Sequence, residues 1–155
     1  MRILFVCTGN ICRSPTAEGV VRHKAKAAGL TGLSLDSVGT TGHHVGDPPD
    51  RRAQAAARQR GYDLSPLRAR QLTRADFGQQ DLILGMDRGH MRQMRRLCPD
   101  RDAHRLQLFM AFADLSADEV PDPYYGDLGG FDAMMDLIET GADGLIRAIQ
   151  EGEVS

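Results

Sequence analysis

Cys7 and Arg13 stand six positions apart in the string Cys7-Thr8-Gly9-Asn10-Ile11-Cys12-Arg13-Ser14-Pro15. A thiol and a guanidinium at that spacing suit an anion. Gly9 and Asn10 are residue types that tolerate left-handed backbone, so the segment can curl and aim successive N–H groups inward. Ser14 suits a helix N-cap and Pro15 a first helical turn, which would place the curl at the positive end of a helix dipole. A sulfur at the floor of such a nest is favoured as the thiolate. Arg13 adds a planar fork for two oxygens of a tetrahedral dianion. Taken singly, Cys7 reads as an inert buried cysteine at a strand end and Arg13 as a surface charge. Together they describe a phosphate loop with a nucleophile beneath it.

The elements around the loop have to hold it in place. Short apolar runs at Arg2–Val6, Leu33–Val38, Asp81–Met86 and Arg105–Leu108 read as strands. Helical patterns fall between them over Pro15–Ala28, over Asp50–Arg60 with Gly61 as a stop, and over Asp87–Leu97 before Pro99. A last helix carries Phe131, Met134, Met135, Ile138, Ala142, Leu145 and Ile149 on one face, with Gly141 and Gly144 expected to weaken it. Strands alternating with helices predict an α/β fold, and the loop then sits at the carboxyl end of the first strand, where such sheets bind ligands.

Composition narrows the function classes. The 155 residues fit one domain, and 41% apolar with 26% charged residues is ordinary for a globular protein. A net charge of −2 gives no case for nucleic acid or an acidic membrane. Arg88, Arg92, Arg95 and Arg96 recur at helical spacing and read first as a solvated helix face, second as a patch for an acidic partner. Three cysteines are too few for a disulfide framework, and the N-terminal apolar run is too short for a signal or a span, so a cytoplasmic location is expected. The five histidines show no metal-ligand spacing with cysteine or carboxylate; no metal or other cofactor is expected.

The string Val6 to Pro15, with Asp122-Pro123-Tyr124-Tyr125-Gly126 far downstream, resembles the low-molecular-weight protein tyrosine phosphatases. Asp36-Ser37, Val45-Gly46-Asp47-Pro48, Asp50-Arg51-Arg52-Ala53, Ala69-Arg70-Gln71 and Met86-Asp87 extend the resemblance over nearly the whole chain. It implies a three-layer domain over residues 1–155, with a central four-stranded parallel sheet flanked by helices. It also implies a phosphatase acting on phosphotyrosine-containing proteins and releasing inorganic phosphate; the sequence leaves the oligomeric state open, with a monomer expected. Cys7 would be the nucleophile that forms a phosphocysteine, Arg13 and the amides of Thr8 through Ser14 the phosphate clamp, and Asp122 the general acid and then base. Asp127 would not be the acid.

The resemblance assigns lesser roles too. Asn10 would be tethered by Ser37, while the histidine that usually provides a second tether is Leu67 here, so a less tightly held loop is expected. Ser14 would donate to the Cys7 sulfur. Tyr124 and Tyr125 would form an aromatic wall, Tyr124 the better candidate, with His43 opposite, where a polar loop histidine is an equal reading. Ile11 would narrow the pocket toward tyrosine; threonine there would point to phosphoarginine. Cys12 would be the redox partner of Cys7, against a plain apolar filler. Two alternatives stay open. An arsenate reductase shares the fold but needs relay cysteines, for which only Cys12 and Cys98 are spare, and a non-catalytic phosphate-binding module would keep the nest without turnover.

Overall fold

Strand β1 (Arg2–Cys7) is a continuous apolar run because both of its faces are covered, the usual state of a central parallel strand. In the computed structural model, which describes residues 1–124 and 128–154, it pairs in parallel with β2 (Ser34–Gly39) on one side and β3 (Leu82–Gly85) on the other. Strand β4 (Leu106–Leu108) pairs in parallel with β3, giving the order β2-β1-β3-β4. The chain leaves β1 in one direction to reach β2 and crosses back to reach β3. The end of β1 is therefore the point where the winding reverses, and a crevice opens there.

The strand's period of two sorts its side chains into two cores. Ile3 and Phe5 face α1 (Arg13–Ala27), α2 (Arg51–Arg58) and α5 (Leu128–Gln150), where Val20, Ala57, Met135 and Ile138 complete the packing. Leu4 and Val6 face α3 (Asp76–Gln79) and α4 (Arg88–Leu97), against Phe77, Met91 and Met94. This is the expected four-stranded parallel sheet flanked by helices. The strands fall within a residue or two of their expected bounds; β1 runs one residue further, so Cys7 is its last member.

Several local expectations need correction. Helix α1 begins at Arg13 with Cys12 at the cap position and no side-chain cap, so Ser14 is the second helical residue and not the N-cap. Gly9 does not take up left-handed backbone; in the loop only Asn10 does, at φ 59°. Helix α2 ends at Arg58, and Gly61 closes the turn after it at φ 91°. The short α3 and the 3₁₀ turns Asp100–Arg105 and Phe109–Phe112 were not expected. Gly144 is not merely a weak point of α5. A Cβ there would lie 1.8 Å from the Phe112 carbonyl oxygen, so the glycine lets the second 3₁₀ turn lie against the helix. The arginines of α4 are exposed, as a solvated face requires, and Arg88 pairs with Asp118.

Candidate active site

The segment after β1 is held from outside by its carbonyls. Cys7 O accepts from Thr40 N, Thr8 O from Thr41 N, Ile11 O from Asp50 N and Cys12 O from Thr16 N, at 2.8–3.3 Å. With Thr8 O and Ile11 O turned outward, the N–H groups of Gly9 and Cys12 in the same peptide planes turn inward, and among the described residues no protein group accepts from the N–H groups of Gly9 through Cys12. The result is a cradle of donors at the start of α1. Gly39 permits the close approach of β2, since a Cβ there would stand 2.6 Å from Thr8 O.

Asn10 fixes the curl. Its Nδ2 donates to Ser14 Oγ at 2.8 Å and to Ser37 Oγ at 3.0 Å, and its Oδ1 accepts from the Arg70 backbone N–H at 2.9 Å. The third bond supplies what Leu67 cannot, and Leu67 packs against the larger core instead. Ser37 in turn donates to the buried Glu18 Oε1 at 2.7 Å, and Glu18 is paired with Arg22 at 2.6 Å. A buried polar chain thus runs from the surface to the loop, and it compensates the left-handed backbone at Asn10. Ser14 turns its hydroxyl to the Cys7 Sγ, 2.9 Å away.

Arg13 is 3% exposed. Its Nη1 donates to Asp87 Oδ2 at 2.7 Å and to Val120 O at 2.9 Å, which aims the rest of the guanidinium at the cradle. Burial alone would raise the Asp87 carboxyl. The bond from Arg13, with the His90 N–H and the neighbouring charges, holds it below the usual carboxylate range. Across the mouth, Asp122 Oδ2 lies 3.7 Å from Arg13 Nη2, and its side chain is 41% exposed. Asp122 Oδ1 accepts from Tyr124 N at 2.9 Å, the turn that Asp-Pro favours. Burial, aided by Asp50, pushes the Cys12 thiol far up, so Cys12 remains protonated at neutral pH.

These groups line one cavity of about 240 Å³, walled by Cys7, Thr8, Gly9, Ile11, Cys12, Arg13, Thr41, His43, His44, Asp122 and Tyr124. Tyr124 is backed by Arg52, whose guanidinium carbon sits 5.4 Å from the ring centroid and which is itself anchored on Asp50 at 3.0 Å. Asn10, Ser14 and Ser37 stand behind the wall and do not line it. Tyr125 lies outside the described residues. Sequence reasoning gave no role to His44, whose ring approaches Tyr124 at 6.5 Å between centroids, or to Glu18 and His90, and it had Arg52 only as a landmark. Asp87 was noticed only as a landmark, with no role. Among the described residues no group of His, Cys, Asp and Glu could hold a metal ion, and no helix is long and apolar enough to cross a membrane.

A family model described as low molecular weight phosphotyrosine protein phosphatase matches residues 2–154. The chain belongs to that family. A relative from Streptomyces coelicolor, named as a low molecular weight protein-tyrosine-phosphatase, is 43% identical over 155 residues, covering 97% of this chain and 94% of its own. A crystal structure of protein tyrosine phosphatase from Entamoeba histolytica, with Hepes in its active site, superposes with a TM-score of 0.95 at 35% identity, covering 99% of both chains. A Drosophila structure titled an arginine phosphatase superposes at 0.91 with 26% identity, covering 97% of this chain and 98% of its own. Family and fold together make this family member a phosphatase enzyme.

Proposed function

We propose that this phosphatase hydrolyses phosphotyrosine in proteins, and simple aryl phosphates, through a phosphocysteine. The observation that carries the proposal is the convergence of Cys7, Arg13 and Asp122 on one cavity, with Asp122 Oδ2 3.7 Å from Arg13 Nη2. The phosphoryl oxygens take the inward N–H groups and the free edge of Arg13. The Cys7 thiolate attacks phosphorus in line with the ester oxygen. As the P–S bond forms, the P–O bond breaks, and Asp122 passes its proton to the departing phenolate. A water molecule then attacks phosphorus, Asp122 takes the water's proton, and the sulfur leaves as thiolate while inorganic phosphate forms. The Ser14 hydroxyl, 2.9 Å from the sulfur, stabilises that leaving thiolate.

Tyr124 and His43 offer faces to the phenyl ring, and Ile11 narrows the space between them. Three free cysteines support a reducing, cytoplasmic setting. The test is turnover of p-nitrophenyl phosphate and of phosphotyrosine peptides by the wild type, Cys7→Ser and Asp122→Asn. Cys7→Ser is expected to be inactive. Asp122→Asn is expected to lose roughly 10²- to 10⁴-fold in kcat, the usual worth of a positioned acid. Turnover surviving in Cys7→Ser would refute the mechanism. Faster hydrolysis of phosphoarginine than of phosphotyrosine would move the substrate class toward that named for the Drosophila neighbour.

A further inference from the structure

His90 takes no part in the steps above, yet its ring touches two members of the phosphate site and is 2% exposed. Nε2 lies 3.0 Å from Thr8 Oγ1 and 3.3 Å from Arg13 Nη2. On the other side of the ring, Nδ1 accepts from the Asp87 backbone N–H at 3.2 Å. The His90 backbone N–H donates to Asp87 Oδ1 at 3.0 Å, so the two residues close a capping box at the start of α4. The imidazole therefore ties the start of one helix to the phosphate loop of another.

The contacts of the ring favour its neutral form. A doubly protonated imidazole would set one N–H beside the Arg13 guanidinium and the other against the Asp87 N–H, opposed only by Asp87 Oδ1 at 3.3 Å from Nδ1. Burial and Arg13 lower the His90 pKa to about 4, against the opposing pull of Asp87, Asp122 and Glu119. With Nδ1 spent on the Asp87 N–H, the ring proton resides on Nε2 and is donated to Thr8 Oγ1. In that tautomer Nε2 cannot accept from Arg13, so the Nη2 hydrogens stay available to the cavity.

We propose that His90 is a positioning residue, a neutral wedge locked by the Asp87 amide that sets the guanidinium plane of Arg13 and the side chain of Thr8 around the bound phosphoryl group. The turnover arm of its test rests on the phosphatase reading; the phosphate-binding arm does not. Asparagine at this site reaches only where Nδ1 stands and keeps the helix cap. Glutamine reaches the place of Nε2. His90→Asn is expected to keep its melting temperature but lose roughly 10- to 100-fold in kcat/KM for p-nitrophenyl phosphate, mostly in kcat, and to bind inorganic phosphate more weakly. His90→Gln is expected to recover most of both.

A fully active His90→Asn, or two variants equally impaired and both melting early, would overturn the proposal in favour of a plain cap. Should neither variant fold, ¹⁵N NMR of the wild type decides. The expected result is a neutral ring protonated on Nε2 from pH 5.5 to 8, with a resonance that moves on saturation with inorganic phosphate. A charged ring at pH 6, or an unmoved resonance, would overturn it. If the wild type hydrolyses no aryl phosphate, the phosphatase reading fails while phosphate affinity and NMR still judge His90.

Discussion

At the residue scale, burial sorts the titratable groups by what they can do. Burial and nearby carboxylates raise the Cys12 and Cys98 thiols, whereas the Cys7 sulfur has the Ser14 hydroxyl at 2.9 Å and a helix N-terminus beside it. One equivalent of iodoacetamide at pH 7 should therefore label Cys7 before either other cysteine, read by peptide mass spectrometry; Cys12 labelled first would contradict this ordering. Acid stability follows from the same logic. His90 binds its proton less readily folded than unfolded, so the unfolded chain takes up the extra proton as pH falls, and stability drops between about 6.5 and 4. Asp87, held low, gives stability present above the ordinary carboxylate range and lost only on acidification below it. Urea unfolding from pH 7 to 4 should show the wild type losing on the order of 2–3 kcal/mol more than His90→Gln, because only the wild type carries the buried imidazole. Parallel curves would mean that His90 titrates alike in both states.

At the element scale, what could be read in advance was what local pattern dictates. The run Ile3–Val6 announces a strand buried on two faces, and the apolar face of α5 announces a helix on a core. The phosphate loop was legible because Cys7, Asn10, Arg13 and Ser14 fall within a single turn of chain. Asp87 and His90 had no assigned role because their partners are 74 and 82 positions distant, and nothing local distinguishes a helix cap from a brace for Arg13. Ser14 was misplaced as an N-cap since a serine before a proline fits that role; its hydroxyl is instead engaged by Cys7, by the Asn10 amide that donates to it, and by the Val38 carbonyl. Glycines were the other blind spot, because the clash that excludes a Cβ is tertiary. This yields a paired expectation. Gly39→Ala presses on the loop and should cut kcat/KM strongly, while Gly144→Ala presses on the 3₁₀ turn and should cost about 1–3 kcal/mol of stability with KM unchanged. Steady-state kinetics beside thermal melts separates the two, and matching kinetic losses would refute the division.

At the scale of the whole molecule, the sheet and its helices gather uncompensated donors at one edge. The cradle N–H groups converge at the N-terminus of α1, and Arg13 is held closely by Asp87 at 2.7 Å on one edge but only at 3.7 Å by the half-exposed Asp122 on the other. An oxyanion that satisfies them binds the folded chain and not the unfolded one, so it must stabilise the fold. Inorganic phosphate at a hundred times its dissociation constant should add about 2.7 kcal/mol. For a chain of this length that is an upward shift in melting temperature of roughly 5–10 °C. The shift should persist in Cys7→Ser, since the sulfur is not a donor to phosphate, and vanish in Arg13→Ala. Asn10→Ala should reduce it, because alanine resists φ 59° and drops three hydrogen bonds that shape the cradle. Chloride at equal ionic strength is the control for screening. A wild-type melt indifferent to phosphate would show that the inward amides are not an anion site, and the chemistry built on them would fall with it.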